Sequence, residues 1–199
     1  EIVRNIDGNI IQNINDRSVL SESLRIVRSN IDFILKSNKK LKDNVAKKIF
    51  VSSTVSKEGK TFISVNLALS YSQLNKKVLL LGFDIRNPKL SSLIQNINAN
   101  TGVTNYLVSD DDSIKKYIQK SELGIDIISS GVVPPNPTEL LTSSKINSIF
   151  EQLEKEYDYI IVDTAPIAIV SDTLLLAEYS DLFVYIFRHN YSDVRFITD

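Results

Sequence analysis

The stretch Lys47–Asn66 constrains the fold of this chain more than any other. It reads KKIFVSSTVSKEGKTFISVN, in which the apolar run Ile49–Val51 predicts a buried strand and the residues after Gly59-Lys60-Thr61 predict an amphipathic helix. A bend between a strand and a helix can bind phosphate, because backbone N–H groups there face the anion. In such a loop the lysine reaches the terminal phosphates and the following hydroxyl binds Mg²⁺.

The loop departs from the full motif G-x-x-x-x-G-K-[ST], because Thr54 stands where the first glycine belongs. Gly-Lys-Thr by itself is common by chance, so the alternative is an ordinary corner between a strand and a helix. The strand before the loop and the helix after it favour nucleotide binding.

Strand patterns and helix patterns alternate along the rest of the chain. The strands after the first are predicted at Lys77–Gly82, Ile125–Ser129, Asp158–Asp163 and Leu182–Phe187. The helices are predicted at Ser18–Lys36, Thr61–Asn75, Ser171–Tyr179 and from Asn136, as the N-cap, to about Glu156. This order predicts an α/β fold of three layers, with a mostly parallel central sheet and helices on both faces.

Length and composition limit the class of protein. A chain of 199 residues with 43% hydrophobic and 24% charged residues suits one globular domain, predicted at 18–199, and the polar residues 1–17 are predicted to be a flexible arm. The net charge of −1 predicts no nucleic-acid partner. The absence of cysteine excludes thiolate chemistry, and a single histidine argues against histidine metal sites or a catalytic triad. The absence of methionine indicates a piece of a longer or processed protein.

Charged side chains follow three of the predicted strands at their carboxyl ends. Lys60 and Thr61 follow the first, Asp84 and Arg86 the second, and Asp163 closes the strand Asp158–Asp163. Each is unremarkable alone, since turns and helix caps often carry such residues. Together they are expected at one edge of the sheet, where ligands bind in open α/β folds. Lysine would neutralise phosphate charge there, and the hydroxyl and carboxylates would hold Mg²⁺ or accept a proton.

This combination resembles the bacterial tyrosine kinases of capsular and exopolysaccharide synthesis, which belong to the deviant-Walker P-loop ATPases. The resemblance covers nearly the whole chain from Ser18. The matching motifs are Glu22-x-x-Arg25-x-x-Arg28, the loop Ser56–Thr61, Asn66-Leu67-Ala68, the apolar run Leu79–Leu81 with Asp84, Arg86 and Pro88, the segment Pro135–Leu141, and Asp163-Thr164-Ala165-Pro166.

The resemblance implies a kinase that uses ATP and Mg²⁺, releases ADP, and phosphorylates tyrosine on neighbouring copies of itself. It assigns catalysis to Lys60, Asp84 and Asp163, and metal binding to Thr61, Asp84 and Asp163. The residues that it assigns to nucleotide binding are Ser56, Lys57, Glu58, Gly59, Lys60, Thr61, Phe62 and Arg86.

The resemblance also gives the first helix a function. Spacing alone is compatible with a solvated charged face, but the family forms a ring through the helix that carries Glu22, Arg25 and Arg28. In many members the domain follows a membrane-spanning chain-length regulator of the export machinery. The implied location is cytoplasmic, in a protein or complex of the inner membrane.

Three departures from the family pattern keep other functions open. Gly82 replaces the first aspartate of the second motif, Lys57 replaces a loop glycine, and only Tyr191 lies near the end of the chain, where the family has a tyrosine cluster. One alternative is a catalytically weak module that binds ATP or ADP. Another is a partition-type ATPase, although Val55 stands where those proteins carry a second lysine.

Overall fold

The computed structural model describes residues 18–39, 41, 44–168, 172–193 and 195. The predicted arm at residues 1–17 therefore lies outside the described residues. The strands are β1 (Lys47–Ser53), β2 (Val78–Phe83), β3 (Gln119–Lys120), β4 (Asp126–Ile128), β5 (Tyr159–Thr164) and β6 (Leu182–Ile186). The helices are α1 (Val19–Ser37), α2 (Lys60–Ser72), α3 (Leu90–Leu93), α4 (Val103–Val108), α5 (Pro137–Leu141), α6 (Lys145–Leu153) and α7 (Asp172–Leu175), with 3₁₀ turns at Ile114–Tyr117 and Ala177–Tyr179.

The strands form one sheet in the order β3-β4-β2-β5-β1-β6. Every pair is parallel except β3 with β4. β5 lies between β1 and β2, and Asp163 is in register with Val51 on one side and Gly82 on the other. The carboxyl ends of these three central strands therefore meet at one edge, as the sequence predicted.

Each face of the sheet is covered by helices, because the central strands are apolar on both sides. Phe50, Leu79 and Val162 pack against α4 and α6 in one cluster. Ile49, Leu80 and Ile161 pack against α1, α2 and α3 in the other. The predicted α/β class with three layers is confirmed. None of the described helices has the length and apolar character needed to cross a membrane.

Helix α1 begins as predicted, with Ser18 as its N-cap accepting a hydrogen bond from the Ser21 N–H at 3.2 Å. The Asp32 carboxylate, further along the helix, accepts hydrogen bonds from the Tyr71 hydroxyl at 2.9 Å and the Tyr159 hydroxyl at 3.2 Å. The two tyrosine rings stack with their centroids 3.9 Å apart. These contacts attach α1 to the C-terminal end of α2 and to the start of β5, at the edge of the sheet opposite the predicted site.

The single helix predicted from Asn136 to about Glu156 is wrong. The chain forms α5 and α6 instead, separated by Thr142-Ser143-Ser144. The Thr142 hydroxyl donates to the Glu139 carbonyl, and hydroxyl groups of this kind compete with helical hydrogen bonds. Asn136 precedes α5, but its side chain donates to the Glu139 carboxylate and makes no capping bond.

Helix α4 and strand β3 were not predicted. A side chain at Gly102, the residue before α4, would place its Cβ 1.9 Å from the Ser129 carbonyl oxygen. Glycine is therefore required where the start of α4 approaches the end of β4. The surrounding sequence lacks a clear period, so this close approach had no local signal.

Candidate active site

The phosphate-binding loop, residues 54–59, connects β1 to α2. Gly59 is the N-cap of α2 with a φ of 101°, a left-handed conformation that suits glycine. Lys57 also has a positive φ, 70°, which costs a residue with a Cβ about 1 kcal/mol. The loop thus adopts the geometry for which the related motif uses glycine at position 57.

Glu58 lies inside the loop and is buried. One carboxylate oxygen accepts a hydrogen bond from the Val55 N–H at 2.8 Å, and the other accepts one from the Ser192 hydroxyl. Both oxygens of Glu58 are therefore engaged by the protein, and this side chain shapes the loop.

Asp163 lies at the end of β5, facing the first turn of α2. Its carboxylate accepts a hydrogen bond from the Ser64 hydroxyl at 3.1 Å. Burial raises the pKa of Asp163 to about 6, although the neighbouring Thr61 hydroxyl and the nearby charge of Lys60 act in the opposite direction. Desolvation outweighs the local stabilisation of the charged form.

Asp84 follows β2 at the same edge and is also buried. Burial raises its pKa, while a hydrogen bond from the Asn87 N–H at 3.1 Å and the charge of Lys60 lower it. Asp84 also raises the pKa of Asp163 by charge repulsion. The structure therefore brings Lys60, Thr61, Asp84 and Asp163 into one site.

These residues fit a magnesium ion. Oxygen ligands such as hydroxyl and carboxylate groups are the ones that Mg²⁺ prefers, and two buried carboxylates lie here with a single buried lysine, Lys60. Among the described residues, no group of three or more acidic or histidine side chains could hold a metal ion. A metal at this site would therefore take further ligands from nucleotide phosphates and water, as Mg²⁺ commonly does.

Arg86 forms an ion pair with another residue of the protein, Asp172. Its guanidinium forms two hydrogen bonds with the buried carboxylate of Asp172, at 2.7 and 3.0 Å, and a third with the Thr138 hydroxyl at 2.9 Å. This pair attaches the end of β2 to α7 and α5. The assignment of Arg86 to nucleotide binding stays a prediction.

We expect Arg86→Ala to lower the free energy of unfolding by about 2–4 kcal/mol, because it leaves the Asp172 carboxylate buried without its cation. Adding Asp172→Asn should recover a large part of the loss, since it removes the charge. Chemical denaturation of the single and double variants measures both effects. Unchanged stability together with weaker nucleotide binding would instead support a direct nucleotide contact by Arg86.

Two further residues assigned to nucleotide binding, Phe62 of α2 and Ser56 of the loop, contact other parts of the protein. Phe62 packs against Leu20 and Leu24 of α1, so it lies between two helices. The Ser56 carbonyl accepts a hydrogen bond from the Tyr191 hydroxyl. The assignments of Phe62 and Ser56 to nucleotide binding likewise stay predictions.

Gly82 is paired in register with Asp163, so a side chain at position 82 would lie on the same face of the sheet. Its Cβ would come within 2.8 Å of the Ser130 Oγ and 2.9 Å of the Ser130 backbone nitrogen. In this chain Ser130 occupies the space that an acidic residue at position 82 would need.

Sequence reasoning missed two side chains that support the site, Ser64 and Asp172. Ser64 lies one helical turn after Lys60, so helical spacing could have identified it. Asp172 is 86 residues from Arg86, and no local pattern connects the two. The segment 188–192, which contacts the phosphate-binding loop, was missed for the same reason.

Comparison with known sequences identifies relatives over most of the chain. A family model described as an AAA domain matches residues 46–192. The tyrosine-protein kinase CpsD of Streptococcus pneumoniae is 35% identical over 173 residues, which is 82% of this chain and 76% of that protein. The tyrosine-protein kinase ptk of Acinetobacter johnsonii is 33% identical over 176 residues, 88% of this chain but only 23% of that relative.

Solved structures give the same result. The kinase domain of the Escherichia coli tyrosine kinase ETK has a TM-score of 0.79 and 28% identity, covering 92% of this chain and 69% of that domain. The Pyrococcus horikoshii septum site-determining protein MinD, complexed with Mg-ADP, has a TM-score of 0.61 and 18% identity, covering 71% of this chain and 57% of MinD. At that identity the likeness to MinD concerns the fold alone.

Proposed function

The chain belongs to the bacterial tyrosine kinases, and from this premise we propose that it transfers the γ-phosphoryl group of ATP to tyrosine residues on neighbouring copies of itself. The relatives named above are tyrosine-protein kinases by name. Because the chain spans about a quarter of the Acinetobacter relative, the activity of the whole protein is part of the proposal.

One observation carries the proposal: Lys60 and two carboxylates, Asp84 and Asp163, are buried at a single edge of the sheet, where the charge of Lys60 lowers the pKa of both carboxyl groups. Phosphoryl transfer depends mainly on positioning and charge compensation. The ammonium group of Lys60 would neutralise charge on the terminal phosphates. Asp84, whose pKa is raised, would accept the proton of the attacking tyrosine hydroxyl or help to hold the metal.

The cofactors proposed are ATP, its product ADP, and Mg²⁺. When bound, the ion neutralises the charge that develops on the transferred phosphoryl group. Thr61 and Asp163 would hold it, Asp163 through the water around the metal. The backbone N–H groups at the start of α2 would bind the phosphates.

A second candidate function is a catalytically weak module that binds ATP or ADP and regulates polysaccharide export. Gly82 favours it, because Ser130 fills the space where the related motif has an additional acid. Both functions use the same binding site and differ only in turnover.

Phosphotyrosine mapping separates the two functions. The full-length protein is incubated with ATP and Mg²⁺, and modified tyrosines are identified by mass spectrometry. Phosphotyrosine that accumulates with time is the expected result. ATP hydrolysis without phosphotyrosine contradicts the kinase function, and binding without turnover favours the regulatory module.

We further propose that copies of the chain assemble into a ring through α1. The helix exposes Val19, Ile26 and Phe33 at a spacing of seven residues, with 62%, 62% and 75% of each residue exposed. Glu22 and Arg25 form an ion pair on this helix and stay partly exposed, whereas Arg28 donates a hydrogen bond to the Ser70 carbonyl. An apolar stripe beside an ion pair suits a contact between subunits.

We expect Ile26→Asp to shift the protein from oligomer to monomer, because it places a charge in the proposed contact. Sedimentation velocity over a range of protein concentrations measures the shift. Val108→Asp is the matched control, since Val108 is similarly exposed, at 69% against 62% for Ile26, but lies at the end of α4. An Ile26→Asp protein that assembles like the wild type would contradict the α1 contact.

We also propose a cytoplasmic location beside a membrane-spanning chain-length regulator of the export machinery. The motif resemblance and the requirement for ATP support this placement. Fractionation of cells that contain the full-length protein tests it, and recovery away from the membrane fraction would oppose association with such a partner.

A further inference from the structure

The segment 188–192 follows β6 and lies against the phosphate-binding loop. Three consecutive loop residues each accept a hydrogen bond from it: Ser56 from Tyr191, Lys57 from Arg188 and Glu58 from Ser192. The Arg188 N–H also donates to the Ser192 hydroxyl at 2.7 Å, which closes the segment into a turn. A change in this turn would therefore be transmitted directly to the loop.

Tyr191 is the most accessible tyrosine of the chain. All eight tyrosines lie within the described residues, and Tyr191 alone is exposed, at 49%, while the other seven are buried or half-buried. It also lies in a turn. A turn residue can enter the active site of another subunit with local rearrangement, whereas a tyrosine in a central strand would have to leave the sheet.

The surroundings of Tyr191 would respond to phosphorylation. Its hydroxyl donates to the Ser56 carbonyl at 3.2 Å, and the guanidinium of Arg188 lies 5.2 Å from the centre of its ring. A phosphate ester has no proton to donate to this carbonyl, and its negative charge would repel the carbonyl oxygen. The phosphate would also attract the guanidinium of Arg188. That guanidinium donates a hydrogen bond to the Lys57 carbonyl at 3.0 Å, so its movement would weaken this contact with the loop.

We infer that Tyr191 is a phosphate acceptor of this kinase, and that phosphorylation of Tyr191 weakens nucleotide binding by the modified chain. The inference rests on the proposed function. In the step, the Tyr191 hydroxyl oxygen bonds to the γ-phosphorus of ATP held by another copy, the bond from that phosphorus to the bridging oxygen breaks, and ADP leaves. The phenolic proton passes to a carboxylate of the acting subunit or to water.

Site mapping tests the acceptor. The full-length protein is incubated with ATP and Mg²⁺, and the occupancy of each tyrosine is followed by mass spectrometry. Tyr191 should be modified, and Tyr191→Phe should remove that modification. Tyr185→Phe is the matched control, because the Tyr185 ring contacts Phe187 rather than the phosphate-binding loop. If other tyrosines are modified and Tyr191 is not, the inference fails and the proposed function stands. If no tyrosine is modified, both fail.

A binding measurement tests the effect on the loop without depending on turnover. Phosphotyrosine is incorporated at position 191 during synthesis of the full-length protein, and the affinity for ADP with Mg²⁺ is measured by calorimetry. We expect binding about 3- to 10-fold weaker than in the unmodified protein, the size of one lost hydrogen bond. An affinity within about twofold of the unmodified protein would overturn the regulatory part of the inference.

Discussion

Replacing Lys60 with alanine is expected to abolish phosphotyrosine formation and to weaken ATP binding at least 100-fold, by about 3 kcal/mol or more. Lys60 is the first residue of α2, is 7% exposed, and lowers the pKa of both Asp84 and Asp163 by its charge. Its loss removes the cation that would face the phosphates and leaves two buried carboxylates without compensation. Calorimetric titration with ATP and Mg²⁺, together with phosphotyrosine detection, measures the two effects.

The controls separate a lost contact from a lost fold. Lys76→Ala removes an exposed lysine beyond the end of α2 and should leave binding unchanged. Lys60→Met keeps most of the side-chain volume. If this variant has the melting temperature of the wild type but binds no ATP, the loss of binding is caused by the missing ammonium charge. Retained ATP binding by both Lys60 variants would argue against the whole site.

Replacing Asp163 with asparagine is expected to lower phosphoryl transfer by about 100-fold or more while raising the stability of the nucleotide-free protein. Asparagine keeps the shape of the side chain and can still accept the hydrogen bond from Ser64. It cannot supply the negative charge that would hold the metal. Because the native protein must keep a buried carboxylate charged, the neutral side chain should add about 1–3 kcal/mol to the free energy of unfolding near pH 8.

The stability difference between Asp163→Asn and the wild type should depend on pH, in a direction set by the raised pKa of Asp163. The pKa of Asp163 is raised from the ordinary carboxyl value of 3.8, which applies to the unfolded chain, to about 6 in the folded protein. Its contribution to stability is therefore fully present below about pH 4 and is lost as the pH rises through about 6. The advantage of Asp163→Asn should vanish at low pH and grow between about pH 4 and 7. Denaturation curves of the two proteins at several pH values measure the difference, and a constant difference would contradict the burial of a charged Asp163.

Much of the site could be predicted because its residues are close to regular elements. Lys60 and Thr61 begin a helix after a strand, Asp84 follows a strand, and Asp163 lies near the end of another. The rule that parallel strands end at one edge then brings these residues together before any contact is known. The break between α5 and α6 was missed because hydroxyl side chains at Thr142 and Ser143 interrupt a pattern whose apolar period continues.

The amino-acid sequence by itself determined most of the segments that become strands and helices, because the apolar periodicity of each segment depends only on residues close together in the chain. It therefore also determined that the charged groups follow strands and meet at one edge of the sheet. Only the tertiary structure decided which of these groups have partners. The Arg86–Asp172 pair and the Tyr191–Ser56 contact join residues 86 and 135 positions apart. The second of these exists because β6 lies beside β1, which brings the turn after one strand against the loop after the other. Contacts of this kind depend on how the strands are arranged in space, and local sequence does not encode that arrangement.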